Sequence, residues 1–223
     1  MKTMTAQFLK NSSTVISVLL IACTALMAIN ARADEASDIQ QVQSRWAQVK
    51  YATPAAEQEK SFAALVIEAE KLSTTYQTAP CLIWEGIVRA TYAGAKGGLG
   101  ALDQVKQAKK LFERAIALQP DALQGSAYTS LGSLYYQVPG WPVGFGDDKK
   151  AREMLLKGLS YNPDGIDANY FYGDYLLDQK KYAQAVVALE KALRAPARPG
   201  RESADAGRRS EIEAALRKAK QHL

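Results

Sequence analysis

The chain has 223 residues, 48% of them hydrophobic, and a formal net charge of +5. A chain of this length can bury a sizeable hydrophobic core. Its one histidine, His222, lies next to the carboxyl terminus, and no Ser/His/Asp, Cys/His or metal-ligand spacing can be built around it. The composition therefore predicts a protein that is not an enzyme and that needs neither a cofactor nor a metal.

The first 33 residues are arranged like a secretory signal peptide. Lys2 and Lys10 make the start positive, residues 15–29 (VISVLLIACTALMAI) are apolar, and Ala31-Arg32-Ala33 places small residues where a signal peptidase reads. The apolar run of 15 residues is shorter than the roughly 20 that span a bilayer, which disfavours a permanent anchor helix. Residues 1–33 are therefore predicted to be removed from an exported, periplasmic protein.

A lipoprotein signal is the alternative in the same segment. Leu20-Ile21-Ala22-Cys23 matches the lipobox of bacterial lipoproteins, in which the signal would cover residues 1–22 and Cys23 would be lipidated. The apolar residues that continue to Ile29 favour cleavage before Asp34 instead. Membrane attachment is expected only with lipidation, because acyl chains hold a protein at a membrane whereas simple cleavage frees it.

The net charge falls when the signal segment is removed. Cleavage takes Lys2, Lys10 and Arg32 from the 28 basic residues, which leaves 25 against 23 acids and a net charge of about +2. Nucleic acid binding, which depends on a strongly basic surface, is therefore not expected. Cys81 becomes the only thiol, so no disulfide within the chain is expected.

Helical periodicity dominates from residue 38 onward. Residues 61–76 place Phe62, Leu65, Ala69 and Leu72 on one face of a predicted helix. Prolines punctuate the chain after successive apolar helical stretches, where they end helices. They stand at Pro54, Pro80, Pro120, Pro163 and Pro196. Because no stretch alternates with period two, the sequence predicts an all-α fold.

Three segments repeat the same order of small and large residues. Each has a glycine in a first helix, then a small residue, a large apolar residue and a closing proline in or after a second helix. The glycine and first small residue of the three segments are Gly86 and Ala108, Gly132 and Ala151, and Gly173 and Ala185. Residues without bulk let the two helices approach closely, and each pair leaves an apolar face that only a neighbouring pair can cover.

This pattern resembles the tetratricopeptide repeat. The resemblance implies a solenoid of helix pairs within residues 34–223, with a degenerate first unit over residues 41–78 and a polar-backed terminal cap. The three repeats and the cap are expected at about residues 79–120, 125–163, 166–199 and 204–223. Residues 81–209 are also similar to the tetratricopeptide proteins grouped with the T component of periplasmic TRAP-type transporters. That similarity implies a link to solute transport and a periplasmic solute-binding protein as partner.

Two inter-helix turns are longer than the repeat pattern requires, and they hold residues 94–100 and 138–146. The first lacks the residue order of a phosphate-binding loop. The second carries Trp141 and Phe145 on a Pro/Gly frame, and it can be either a docking surface or a lid over the adjacent repeat. Two acidic pairs, Asp147-Asp148 and Asp164/Asp167, precede helices and are predicted to cap them rather than to bind calcium.

The first helices of the repeats are expected to line a groove of mixed apolar and hydroxyl character. Together with the aromatic loop, the candidate partner-binding residues are Ile83, Ile87, Thr129, Ser133, Tyr136, Trp141, Phe145, Tyr170 and Asp174. Such a groove fits a peptide, a lipid-like chain or a helix better than a highly charged ligand. The predicted function is a non-catalytic periplasmic adaptor, with a carrier of a small apolar ligand as the alternative. The basic residues of the segment from Arg194 to Leu223 are interpreted as the solvated side of the cap or, alternatively, as a contact for an anionic partner or a membrane surface.

Overall fold

The structure is a computed structural model that describes residues 32–98 and 100–223. The chain divides into two units, Met1–Asp38 and Ile39–Leu223. In the first unit, residues 32–38 are helical. The predicted signal peptide, apart from its last two residues, and Cys23 lie outside the described residues. Cleavage and lipidation therefore stay predictions.

The second unit is built from helices that follow one another through short turns. Residues 39–52 form α1. The others are α2 (Ala55–Tyr76), α3 (Ala79–Lys96), α4 (Gly100–Leu118), α5 (Ser126–Gln137), α6 (Asp148–Tyr161), α7 (Ile166–Asp178), α8 (Tyr182–Leu193) and α9 (Glu202–Lys220). The described residues contain no strand, which confirms the all-α helical-repeat prediction. Among the described helices, none is long and apolar enough to cross a membrane.

Helix pairs are nested through the three repeat glycines. A Cβ atom added to Gly86 would lie 2.5 Å from Phe112, and one added to Gly132 or Gly173 would lie 2.7 Å from Leu155 or Leu189. Real Cβ atoms do not approach other atoms so closely, so each of these positions requires glycine while its neighbour stays in place. The small residues of the second helices, Ala108, Ala151 and Ala185, are fully buried. The three pairs α3/α4, α5/α6 and α7/α8 therefore use the close packing that the repeat alignment predicts.

Two hydrophobic clusters connect successive pairs. The larger one runs from Ala79 in α3 to Ala219 in α9 and includes the large residues of all three pairs. The second joins α1, α2 and α3 around Trp46, Phe62 and Trp84. Each pair thus covers the apolar face of its neighbour, as expected for a stacked repeat.

The first enlarged turn is not a long loop. Helix α3 continues through Gly94 to Lys96 and α4 starts at Gly100, so most of the extra residues lengthen the two helices. The prediction of a loop over residues 94–100 was therefore wrong. The sequence around Gly94 keeps enough helix-forming residues to continue the helix. The second turn, residues 138–147, is a true loop between α5 and α6.

Helix α9 does more than cap the last repeat. It packs against α7 and α8 and also returns to α1, where a Cβ atom on Gly207 would lie 2.3 Å from the ring of Tyr51. The hydroxyl of Tyr51 donates to Glu211 at 3.2 Å, and the Lys50 ammonium lies 3.3 Å from the same carboxylate. The terminal helix therefore joins the end of the array to its beginning.

Candidate binding cavity

A cavity of about 860 Å³ lies between α1, the first helices of the three pairs and the return of α9; we call it the central cavity. Its volume falls within the roughly 300–1,000 Å³ typical of ligand sites. Three kinds of side chain surround it: uncharged polar groups, aromatic rings and a cluster of charges. Each kind comes from a different part of the array.

The uncharged polar wall comes mainly from α3 and α5. Helical spacing places hydroxyls of successive turns side by side on the inner face of α5. The wall consists of Thr91, Ser126, Thr129, Ser130, Ser133 and Gln137. Some of these hydroxyls are already used: Ser133 donates to the Ser130 carbonyl at 2.8 Å, and Thr91 accepts the indole N–H of Trp46 at 3.0 Å. The half-buried Ser126 and Ser130 can exchange hydrogen bonds with the amide groups of a bound chain.

The aromatic wall consists of two ring pairs. Trp46 and Trp84 meet edge to face with ring centroids 6.1 Å apart, and Tyr170 and Phe171 do so at 5.1 Å. The Arg208 guanidinium lies over the second pair, 4.3 Å from the Tyr170 centroid and 4.8 Å from that of Phe171. Burial raises the pKa of Tyr170 to about 12, so its hydroxyl stays protonated even in moderately alkaline solution and can donate a hydrogen bond.

Asp167 is the centre of the charged cluster. Its carboxylate accepts from Arg198 at 2.6 Å and from the Nε of Arg208 at 2.7 Å. Arg198 also bonds Asp205 at 2.7 Å, and Arg208 bonds Glu211 at 2.6 Å. Burial raises the pKa of Asp167, but the guanidinium of Arg208 and then that of Arg198 outweigh burial and lower the pKa to about 2.

The prediction that acidic side chains cap the following helices is confirmed for Asp147 and wrong for Asp164 and Asp167. Asp147 accepts the backbone N–H groups of Lys149 and Lys150, each at 3.0 Å, and so caps α6. The N-cap position of α7 is Gly165, so this helix has no side-chain cap. Asp164 instead pairs with Lys191 at 3.1 Å, and Asp167 turns toward its arginines. The strong charge of nearby guanidinium groups, which the sequence pattern does not reveal, takes precedence over capping.

Four of the predicted groove residues line the central cavity: Ile87, Thr129, Ser133 and Tyr170. Ile83 does not, because it is fully buried in the larger hydrophobic cluster. It lies one helical turn before Ile87, at a level of α3 where the surrounding side chains cover it completely, so its predicted place in the groove was wrong.

Tyr136 and Asp174 form a contact between helices instead of lining the cavity. The hydroxyl of Tyr136 donates to the Asp174 carboxylate at 2.7 Å, which ties α5 to α7. Burial raises the pKa of Asp174, and the hydrogen bond from Tyr136 opposes that rise. They do not line the central cavity, and their predicted role in binding a partner stays a prediction.

The two aromatic residues of the second loop have different surroundings. Trp141 is 90% exposed. Phe145 meets Tyr135 edge to face at 5.9 Å and lies under the Lys109 ammonium at 5.8 Å. The backbone N–H of Asp147 donates to the Tyr135 carbonyl at 2.8 Å and fixes the end of the loop. One ring therefore packs on the repeat while the other faces solvent.

Sequence reasoning did not identify the arginines of the cavity. Arg198, Arg201 and Arg208 fall in the basic stretch that was interpreted as a solvated cap surface, or as a surface for an anionic partner. One signal was present: Ala204, Arg208 and Ile212 follow each other at spacing four and all three are buried. An arginine on the apolar face of a helix points its charge toward the protein interior, where it needs acidic or hydrogen-bonding partners. No group of three or more metal-ligating side chains occurs among the described residues.

Comparison with known families matches one of the three helix pairs. Residues 166–198, which contain α7 and α8, match the tetratricopeptide repeat. A tetratricopeptide repeat is therefore present. No curated protein matches the chain. Tetratricopeptide repeats suggest protein–protein interaction, and proteins built from them are generally non-catalytic scaffolds.

Proposed function

We propose that this protein is a non-catalytic adaptor that binds a short segment of a partner protein in the central cavity. The observation that carries the proposal is the lining of that cavity, which combines a hydroxyl wall, aromatic rings and fixed charges within about 860 Å³. A peptide offers all three matching groups: backbone amides for the hydroxyls, apolar side chains for the rings and charged side chains for the cluster.

A carrier of a small apolar ligand is the alternative that the sequence leaves open. The cavity volume suits such a ligand, but the charged cluster around Asp167 and the serines of α5 would lose hydrogen bonds to water without gaining new ones from it. The lining therefore favours a segment of polypeptide. Native mass spectrometry of the purified protein separates the two, because a tightly bound apolar molecule would appear as an added mass.

The exposed loop offers a second contact for the same partner. Trp141 is held on a proline and glycine turn, and a ring fixed in this way presents apolar area at little cost in conformational entropy. We propose that the partner covers Trp141 while its segment fills the cavity. A Trp141→Ala variant that binds the partner with unchanged affinity would remove the loop from the interface.

The sequence supports two further elements of the proposal. The arrangement of residues 1–33 supports export to the periplasm, and the similarity of residues 81–209 to the T component group supports a solute-binding protein as partner. The mass of the mature protein tests the first: a chain that starts at Asp34 indicates cleavage, and a lipidated Cys23 indicates a membrane-attached form. Cross-linking to periplasmic solute-binding proteins tests the second, and it fails if none is recovered.

The central test blocks the cavity without disturbing the core. Ser130 is half-buried on the cavity wall, so Ser130→Trp places an indole inside the space. Ser160→Trp is the matched control, because Ser160 is exposed on α6 and does not line the cavity. Peptides selected from a random displayed library on the unmodified protein should bind Ser130→Trp at least about tenfold more weakly and Ser160→Trp equally well. Equal binding to both variants would contradict the proposal.

A further inference from the structure

Two residues that line the central cavity each have a buried donor without a hydrogen-bond partner. In residues 32–98 and 100–223, the buried side-chain nitrogens that lack a partner are Trp84 Nε1 and Arg201 Nε. Both side chains line the cavity, and Trp84 is only 4% exposed. A buried donor without a partner loses its hydrogen bonds to water and receives nothing in return. Such groups therefore indicate an acceptor that completes the site.

The two donors are held together by stacking. The guanidinium carbon of Arg201 lies 5.0 Å from the ring centroid of Trp84. An indole N–H points outward in the plane of its ring, so a cation on the ring face leaves that N–H available. Trp46 packs against Trp84 from another side and uses its own N–H on Thr91. The site thus offers two fixed donors, and one of them carries a charge.

The charges around the site leave one cation without a partner. Seven charged side chains lie together at this end of the cavity: Lys50, Arg198, Arg201, Arg208, Asp167, Asp205 and Glu211. Asp164 also lines the cavity, but its charge is paired with Lys191 and is not counted here. Four are basic and three are acidic, so the excess is one positive charge. Within the described part of the chain, every member except Arg201 belongs to an ion pair.

The state of Arg201 also calls for an anion. Burial lowers the pKa of Arg201, and the positive charge of Arg198 lowers it further, whereas the charges of Asp167 and Asp205 oppose this fall without cancelling it. The surroundings of Arg201 therefore compensate its charge only in part. A neutral water molecule could accept the two hydrogen bonds but would not supply the missing charge. A doubly charged anion would exceed the single positive charge and repel Asp167 and Asp205.

We propose that Trp84 and Arg201 form a binding subsite for one carboxylate, which an acidic side chain of the bound partner segment supplies. The two oxygens of a carboxylate accept the indole N–H and the guanidinium Nε–H, and its single charge balances the cluster. This inference rests on the proposed function, since the partner segment brings the carboxylate into the cavity. A free organic acid has the same chemistry and is the other source to test.

Benzoate is a suitable probe, because its ring suits the aromatic wall, and benzamide is the uncharged molecule of the same shape. The readout is the indole N–H resonance of Trp84 in the ¹⁵N-labelled protein, assigned with Trp84→Phe. We expect benzoate to produce a saturable downfield shift and benzamide to produce none. Equal shifts with both molecules would overturn the carboxylate subsite and indicate a site for any hydrogen-bond acceptor.

Matched arginine variants test the second donor. Arg201→Gln should weaken benzoate binding at least about tenfold, whereas Arg194→Gln, an exposed position outside the cavity, should leave it unchanged. If Arg201→Gln does not fold, Arg201→Lys keeps the charge without the Nε donor and should still weaken binding several-fold. Unchanged binding in a folded Arg201 variant overturns the proposal.

Two peptides distinguish the sources of the carboxylate. Acetyl-Phe-Glu-Phe-amide should displace benzoate from the protein, and acetyl-Phe-Gln-Phe-amide should not. Benzoate binding that neither peptide displaces would keep the carboxylate subsite but contradict its link to a partner segment. Peptide selection that succeeds while benzoate fails to bind would keep the proposed function and overturn the subsite.

Discussion

Arg208 of α9 and Asp167 of α7 are joined at the wall of the central cavity by a charged hydrogen bond of 2.7 Å between Nε and Oδ1. The pair connects residues 41 positions apart and draws the terminal helix toward the inner face of the array. Arg208 is almost completely buried and also covers two aromatic rings. The terminal helix is thus held by its basic residues as well as by its apolar stripe.

Removal of the Arg208 charge should destabilise the fold. In Arg208→Met the acids Asp167 and Glu211 lose their shared partner, but Asp167 keeps Arg198 and Glu211 keeps Lys50, so we expect a loss of about 1–3 kcal/mol. Urea unfolding at neutral pH measures the change. Arg217→Met, at an exposed position of the same helix, is the control and should change the free energy of unfolding by less than about 0.5 kcal/mol. Equal effects of the two substitutions would mean that the charged cluster contributes nothing to stability.

The Asp167 carboxylate predicts a loss of stability in acid. Its pKa is about 2 in the folded protein, below the ordinary value of 3.8, so folding favours the ionised form. The stabilising contribution is complete above pH of about 4 and is lost as pH falls toward 2. Asp167→Asn should flatten this part of the curve of unfolding free energy against pH, whereas Asp121→Asn, at an exposed turn, should leave its shape unchanged. If the unfolding free energy of Asp167→Asn depended on pH as steeply as that of the wild-type protein, the lowered pKa of Asp167 would be contradicted.

Two glycine-to-alanine substitutions should have opposite effects. At Gly132 the new methyl would lie 2.7 Å from Leu155 and 3.0 Å from its backbone nitrogen, so Gly132→Ala should lose about 1–3 kcal/mol. At Gly94, in α3, nothing lies within 4 Å, so Gly94→Ala should gain about 0.5–1 kcal/mol because alanine favours the helix. Denaturant unfolding of both variants checks this. If Gly132→Ala gained stability like Gly94→Ala, the helices would not be in close contact at Gly132.

These glycines were also the part of the fold that the sequence predicted best. Gly86, Gly132 and Gly173 each precede a helix with the same order of a small residue, a large apolar residue and a closing proline, and the packing they permit is decided within one pair. Such local relations leave a pattern along the chain. The same reasoning predicted that Ile87 and Tyr170 line the inner face.

The charged part of the cavity could not be predicted in the same way. Trp84 and Arg201 are far apart along the chain, and their contact depends on the return of α9 to α1. The repeat pattern ends before that helix and says nothing about its direction. The misplaced Ile83 has a related cause, since a residue one turn from a groove position can belong to the inner face or to the core, depending on how neighbouring helices cross.

The two aromatic residues of the loop should contribute differently to the stability of the protein. Trp141→Ala should change the free energy of unfolding by less than about 0.5 kcal/mol, because the ring is almost fully exposed. Phe145→Ala should lose about 1–2 kcal/mol, since this ring packs on Tyr135. Thermal unfolding of the two variants measures both effects. A large loss in Trp141→Ala would show that the ring packs on the protein rather than facing solvent.

The most direct test of the account is photo-cross-linking in the cell that makes the protein. A photoreactive phenylalanine analogue at Ser130 lies in the central cavity, and the same analogue at Ser160 lies on the exposed side of α6. We predict that the Ser130 position yields an adduct with one defined segment of a partner protein and that the Ser160 position does not. Identical adducts at both positions, or no adduct at Ser130 in a folded protein, would contradict binding in the cavity.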